Sequence, residues 1–260
     1  MDFKIEKGKE AKPLRVCIYG SDGCGKSTWA KHGLFLDLEG GLGEIDCQSI
    51  NLVDSTFSDV MDAARYVYSN KKDIGTDTLV IDSIDWLERK IFNQACKDNG
   101  WSTIEQPGYG KGYVVVLKYW TEFLNSLDQL RTLGLNIVLI SHSAVEHFDD
   151  PIVDNSFHRH NLKLNKHSRG LIAEWCDVLG YVASEVLTTE SSKKFSTPQY
   201  KAISTNRRLI YFGEQPTFAA KSRMTLPESL PLDWEAFMSA VQSARAEGIT
   251  PKKKQVTTGK

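Results

Sequence analysis

Gly20, Ser21, Asp22, Gly23, Cys24, Gly25, Lys26, Ser27 and Thr28 follow the pattern G-x-x-x-x-G-K-[ST], directly after the apolar run LRVCIY. Glycines let a chain turn tightly enough for successive N–H groups to face one anion, and a following helix adds its positive N-terminal end. The spacing predicts a phosphate-binding loop for a nucleoside triphosphate. Lys26 would reach the β and γ oxygens, and Ser27 would ligate Mg²⁺. A second nucleotide signature is TLVID, where Asp82 ends an apolar run and is placed to hold Mg²⁺ through water. The residue after Asp82 is Ser83 rather than glutamate, so a base that activates water must come from elsewhere. LFLDLEGG supplies Glu39, with Asp37 as the alternative, ahead of Gly40 and Gly41. ISHS would bring His142 out beside the γ-phosphate, where it could report on that group.

Periodicity predicts the elements that position these residues. Short, nearly continuous apolar runs at 14–19, 34–38, 78–82 and 135–141 read as parallel strands covered on both faces. Helices are predicted at 56–69 with a Thr or Ser cap, at 84–97, and at 114–133 with Val114, Leu117, Phe123, Leu124, Leu127, Leu130 and Leu133 turned inward. Alternating strands and helices imply a right-handed α/β sheet. Beyond residue 170, CDVLGYVASEVL, YKAIST and RRLIYF suggest an antiparallel β extension, interrupted by a polar loop at 190–198. A last helix at 233–246 opens on Asp233 and stops at Gly248 and Pro251.

With 260 residues, 41% of them hydrophobic and 25% charged, the chain can bury one sizeable core. Tails are expected at 1–12 and 249–260 around one domain at 13–248. The net charge of −1 means that any nucleic-acid contact must come from a local patch. Five scattered cysteines without a C-x-x-C pair argue against a disulfide framework and a cysteine zinc site, and His142, His147, His158, His160 and His167 lack metalloprotease spacing. The N-terminus is too charged for a signal peptide and no apolar run nears the roughly 20 residues of a membrane span, so a cytoplasmic protein is expected, without a membrane partner. Loop dipoles and Lys26 would favour the Cys24 thiolate, so alkylation there should block nucleotide binding.

The order of phosphate loop, D-x-E-G-G strand, V-I-D-S strand and I-S-H strand resembles the RecA-type ATPase core. More narrowly, EGG at 39–41, PGYGKGY at 107–113, ISHS and AAKSRMTLP at 219–227 resemble phage-encoded RecA-like ATPases of the single-strand annealing and recombination type, over roughly residues 13 to 245. The resemblance implies a RecA-like P-loop fold, ATP hydrolysis with Mg²⁺, single-stranded DNA as partner, and a filament or ring with nucleotide at subunit interfaces. It also implies a place in the host cytoplasm and a possible single-strand DNA-binding protein as partner. Lys221 and Arg223 match the K-x-R pair that such assemblies extend to a neighbour's γ-phosphate. The acid-free segment 157–169 follows the sensor strand, where a DNA-binding loop is expected, and offers Arg159, Lys163, Lys166 and Arg169. The glycine-rich stretch 100–113, with Trp101, Tyr109, Lys111 and Tyr113, is a second candidate surface. Rival readings are a nucleotide kinase, for which no arginine-rich lid is recognisable, and an ATP-dependent switch or loader with little hydrolysis.

Overall fold

The computed structural model describes residues 11–149, 156–191 and 199–247. Along the chain run β1 (Arg15–Gly20), α1 (Lys26–Trp29), β2 (Leu34–Asp37), β3 (Gln48–Asn51), α2 (Phe57–Ser69), β4 (Thr78–Asp82), α3 (Ile84–Asn99) and α4 (Lys111–Thr132). They continue with β5 (Asn136–Phe148), β6 (Phe157–Leu162), α5 (Lys166–Trp175), β7 (Val178–Ser191), β8 (Gln199–Tyr211), β9 (Lys221–Ser222), β10 (Ser229–Pro231) and α6 (Trp234–Glu247).

The strands form one sheet in the order β10, β8, β7, β1, β5, β4, β2, β3, with β6 added to β5 and β9 to β7. From β7 to β3 every neighbour is parallel, while β8, β10, β6 and β9 pair antiparallel. This is the expected α/β class, a parallel centre with an antiparallel extension. Successive strand residues point to opposite faces, and both faces are covered. Cys17, Tyr19, Leu36, Leu79, Ile81 and Leu139 pack under α2, α3, α4 and α5, while Val16, Ile18, Phe35, Val80, Val138 and Ile140 pack against Trp29, Phe237 and Val241 on the other side.

Local signals set several helix ends. Thr56 Oγ1 accepts from the Asp59 N–H and Asp59 Oδ2 accepts from the Thr56 N–H at 2.7 Å, a reciprocal capping box on α2. Asp233 Oδ1 accepts from the Ala236 N–H at 2.8 Å at the start of α6.

Other expectations need correcting. Val114 in α4 and Leu133 just beyond its end are exposed, and Trp120 takes the fully buried place instead. The edge strand β3 has the polar sequence QSIN and gives no apolar signal. Strand β5 runs on to Phe148 and folds back as a hairpin with β6, so the segment read as a cationic loop at 157–169 is a strand followed by the first turn of α5. The expected tails and the centre of the 190–198 loop lie outside the described residues, residues 11, 12, 190 and 191 apart.

Candidate functional site

The phosphate loop leaves the carboxyl end of β1, between β5 and β7. Gly20 has no room for a side chain, since a Cβ there would lie 2.3 Å from the Val182 carbonyl oxygen on β7. Gly25 stands at φ 95°, a left-handed conformation that glycine adopts without steric cost, and turns the chain into α1. Lys26 folds back onto the loop: Nζ donates to Ser21 O at 2.8 Å and Gly20 O at 3.2 Å, and lies 3.6 Å from Cys24 Sγ. Cys24 is buried, which shields its sulfur from solvent. Helix α1 spans only four residues. One turn aligns few peptide dipoles, so the loop N–H groups and Lys26 must hold the anion with little help from a helix end.

Asp82 ends β4, one strand removed from β1 with β5 between them. Ser27 Oγ donates to Asp82 Oδ2 at 2.6 Å, bringing the two expected metal residues together. Burial pushes the Asp82 carboxyl up to about 6; the Ser27 hydrogen bond opposes that, and the neighbouring Glu39 adds to it. Crowded carboxylates beside a hydroxyl are hard oxygen ligands of the kind a small divalent cation takes. Among the described residues no three His, Cys, Asp or Glu side chains converge to hold a metal. A Mg²⁺ ion at Ser27 and Asp82 would therefore draw its other ligands from phosphate and water, as this ion commonly does.

Glu39 lies just beyond β2. Its Oε2 accepts from Ser83 Oγ at 3.1 Å, and its Oε1 is 3.5 Å from His142 Nε2. The alternative base, Asp37, accepts from the N–H groups of Glu39 at 3.2 Å and Gly40 at 2.7 Å, so it builds the turn that presents Glu39. His142 is fixed by Asp85: Nδ1 lies 2.9 Å from Oδ2, and the His142 N–H donates to Oδ1 at 3.1 Å. That hydrogen bond raises the His142 pKa above its ordinary value, against burial. Burial works against ionised Asp85, but the bonds from His142 prevail and hold its carboxyl below the usual range. His142 Nε2 also stands 3.2 Å from Asp22 Oδ1 of the phosphate loop. Asp22, Gly23, Gly25, Lys26, Ser27, Thr28, Glu39, Asp82, His142 and Arg208 together line a cleft of about 260 Å³.

Sequence reasoning missed three of these features. Asp85 and Ser83 follow Asp82 without any motif, yet they orient His142 and Glu39. Arg208 belongs to no motif, yet it reaches the cleft; alternation along β8 sends one of two adjacent arginines each way, the one signal available beforehand. Arg207 is exposed, with Glu185 3.8 Å away.

The remaining predicted residues lie elsewhere. Lys221 donates to the carbonyl oxygens of Ala173 and Glu174, and Arg223 binds Glu174 O and Asp177. Both lie on or beside β9, against the start of β7, at the end of the strands opposite the phosphate loop. Neither side chain lies at the phosphate loop. Arg159 is paired with Glu214 Oε1 and stacked on Phe148, with 5.2 Å to the ring centre, and Arg169 is paired with Glu146 Oε2 at 2.7 Å. These two are structural ion pairs rather than members of an open cationic loop. Lys163 and Lys166 are exposed and have no ion-pair partner among the described residues. Tyr109, between Gly108 and Gly110, is fully exposed at φ 50°. No helix among the described residues is long and apolar enough to cross a membrane.

A family model described as AAA domain matches residues 12–224. No curated protein sequence matches the chain. Among solved structures, a KaiC-like protein from the hyperthermophilic archaeon Pyrococcus horikoshii aligns with a TM-score of 0.36 and 16% identity, over 77% of this chain and 79% of that one.

Proposed function

The chain belongs to the AAA domain family and is a phosphate-loop ATPase, and on that premise we propose that it hydrolyses Mg²⁺·ATP with Glu39 as base and couples hydrolysis to single-stranded DNA. The observation that carries the hydrolytic reading is the facing pair of clusters in one cleft, Ser27 with Asp82 and Glu39 with His142. Lys26, released from the loop carbonyls, binds the β and γ oxygens. Mg²⁺ held at Ser27 and Asp82 would neutralise charge on those oxygens. Glu39, oriented by Ser83, accepts a proton from water as the water oxygen bonds to the γ phosphorus and the bond to the ADP oxygen breaks. His142, anchored by Asp85, donates toward the Glu39 side of the cleft and senses whether the γ-phosphate is present.

The DNA reading draws support from the motif resemblance and from one contact: the Lys163 N–H donates to the His142 carbonyl oxygen at 3.0 Å. A phosphate bound by Lys163 thus acts one hydrogen bond away from the residue that touches Glu39. On this reading the protein serves phage recombination or strand annealing, alone or with a single-strand DNA-binding protein. It assembles as an oligomer in which Lys221 and Arg223 leave their bonds to reach a neighbour's nucleotide.

Turnover measured with and without single-stranded DNA tests both halves. Glu39→Gln is expected to retain ATP binding and lose about 10²- to 10⁴-fold in hydrolysis. Lys163→Ala is expected to keep the basal rate and lose stimulation. Full hydrolysis by Glu39→Gln would remove the base assignment, and an unstimulated wild-type protein would favour the switch reading.

A further inference from the structure

A separate cavity of about 490 Å³ opens beside β7 and β8, with Tyr181, Tyr211, Phe218, His160 and Glu228 in its wall. Tyr181 and Tyr211 are opposite each other across the two strands, so their side chains share one face of the sheet. The Phe218 ring stacks on Tyr181, with 4.7 Å between centroids and 24° from parallel, and lies 5.2 Å from Tyr211. His160 of β6 completes the aromatic group, 5.2 Å from Tyr181, and its Nδ1 is buried with no hydrogen-bond partner among the described residues. Glu228 is exposed and has no ion-pair partner among the described residues, and no described lysine or arginine lines the cavity. Two connections lead away from it. Tyr19, the residue before Gly20 of the phosphate loop, donates its hydroxyl to Ala219 O at 2.6 Å and lies 3.1 Å from His160 O. Lys163, exposed, follows His160 by three residues, at most about 11 Å of chain.

We propose that this cavity receives one unpaired base of single-stranded DNA while a flanking phosphate rests on Lys163, and that it favours a base with an exocyclic amino group. The assignment rests on the reading of single-stranded DNA as the partner. Aromatic side chains take the face of a base, and a single strand leaves that face uncovered. The only charge in the wall is the Glu228 carboxylate, which repels phosphate, so the backbone stays outside the cavity, where Lys163 is exposed. A carboxylate accepts from the amino group of cytosine and repels the carbonyl oxygen that thymine carries in its place. The base edge also offers His160 Nδ1 the partner it lacks. A base held there touches β6, β7 and β8 together, and the Tyr19 hydroxyl links β6 and Ala219 to the strand that ends in the phosphate loop.

Anisotropy titrations of the full chain over a salt series test this, with single strands of equal length made of deoxycytidine, thymidine or abasic deoxyribose phosphate. The deoxycytidine strand is expected to bind about 5- to 150-fold more tightly than the abasic strand, the range that stacking of one base provides. Thymidine should fall between them, and all three should share one salt slope, because they share the phosphate contacts. Tyr211→Leu keeps apolar bulk and removes the aromatic face, so it should bring deoxycytidine severalfold closer to the abasic strand with the slope unchanged. Glu228→Ala, at an exposed side chain, should narrow the gap between deoxycytidine and thymidine. Lys163→Ala should weaken all three strands and flatten the slope. Equal affinity for the deoxycytidine and abasic strands in the wild-type protein, or wild-type affinities for every strand in both Tyr211→Leu and Glu228→Ala, would overturn the base site while leaving the DNA reading in place. Thymidine binding as tightly as deoxycytidine would overturn the amino-group preference. Absence of binding by all three strands would overturn the DNA reading, and this site with it.

Discussion

Asp82 shows how a single side chain can oppose the stability of the fold that positions it. The residue is 6% exposed, and its carboxyl is pushed up to about 6 from the ordinary 3.8, because burial beside other acids penalises the charged form. A folded-state carboxyl pKa above the unfolded value costs nothing below about pH 4; the cost grows as pH rises through about 6 and is constant above it. Replacing it by Asn should therefore stabilise the ligand-free protein at pH 7 by up to about 3 kcal/mol and change little at pH 4, as urea unfolding at the two pH values would read. In the wild type, Mg²⁺·ATP affinity should climb as pH passes through about 6, and in Asp82→Asn that climb should be smaller. The spacing of the loop and the carboxylate at a strand end made Lys26, Ser27 and Asp82 legible in advance, since each belongs to a local pattern. Asp85, Ser83 and Arg208 were not, because their roles depend on a partner far along the chain: Asp85 meets His142, Ser83 meets Glu39, and Arg208 meets Gly25.

At the scale of elements, buried parallel strands and capped helices follow closely from local chemistry, as Thr56 and Asp233 show. Errors arose where residue type and burial part company. In and just after α4 the aliphatic residues Val114 and Leu133 face solvent while Trp120 is fully buried and lies edge-on to Phe123, with ring centroids 6.3 Å apart. Trp120→Ala should accordingly cost about 3–5 kcal/mol of unfolding free energy, whereas Val114→Ala should change it by less than about 0.5 kcal/mol. The cations of 157–169 misled for a related reason. Charge density suggested an open loop, but Arg159 and Arg169 have Glu214 and Glu146 opposite them, and neither glutamate lies within that segment. Only the pairing of β6 with β5 brings Glu146 across from Arg159 in the hairpin and within reach of Arg169.

For the molecule as a whole, the proposed DNA contact is smaller than the four cations of the sequence imply. With Lys163 and Lys166 the two that lack ion-pair partners, the logarithm of DNA affinity should fall with the logarithm of salt at a slope near −0.7 × 2, or about −1.4, rather than about −3. Fluorescence anisotropy across a salt series would measure it, and a slope near −3 would mean that Arg159 and Arg169 give up their glutamates. At the opposite end of the central strands, Asp177 gathers Arg15, Arg131 and Arg223, so Arg223→Ala leaves two cations on that carboxylate and should fold normally. If Arg223 serves a neighbouring subunit, that variant should lose turnover while sizing and unfolding stay as in the wild type. The sequence alone determined the phosphate loop, the parallel α/β centre and the acidic strand ends, because each depends on residues within a few positions of one another and on the alternation of a buried strand. Tertiary structure decided which acid faces the cleft, which cations stay unpaired and which arginine meets the nucleotide site. Those outcomes depend on strand order and register, which bring together groups that local propensity and spacing do not connect.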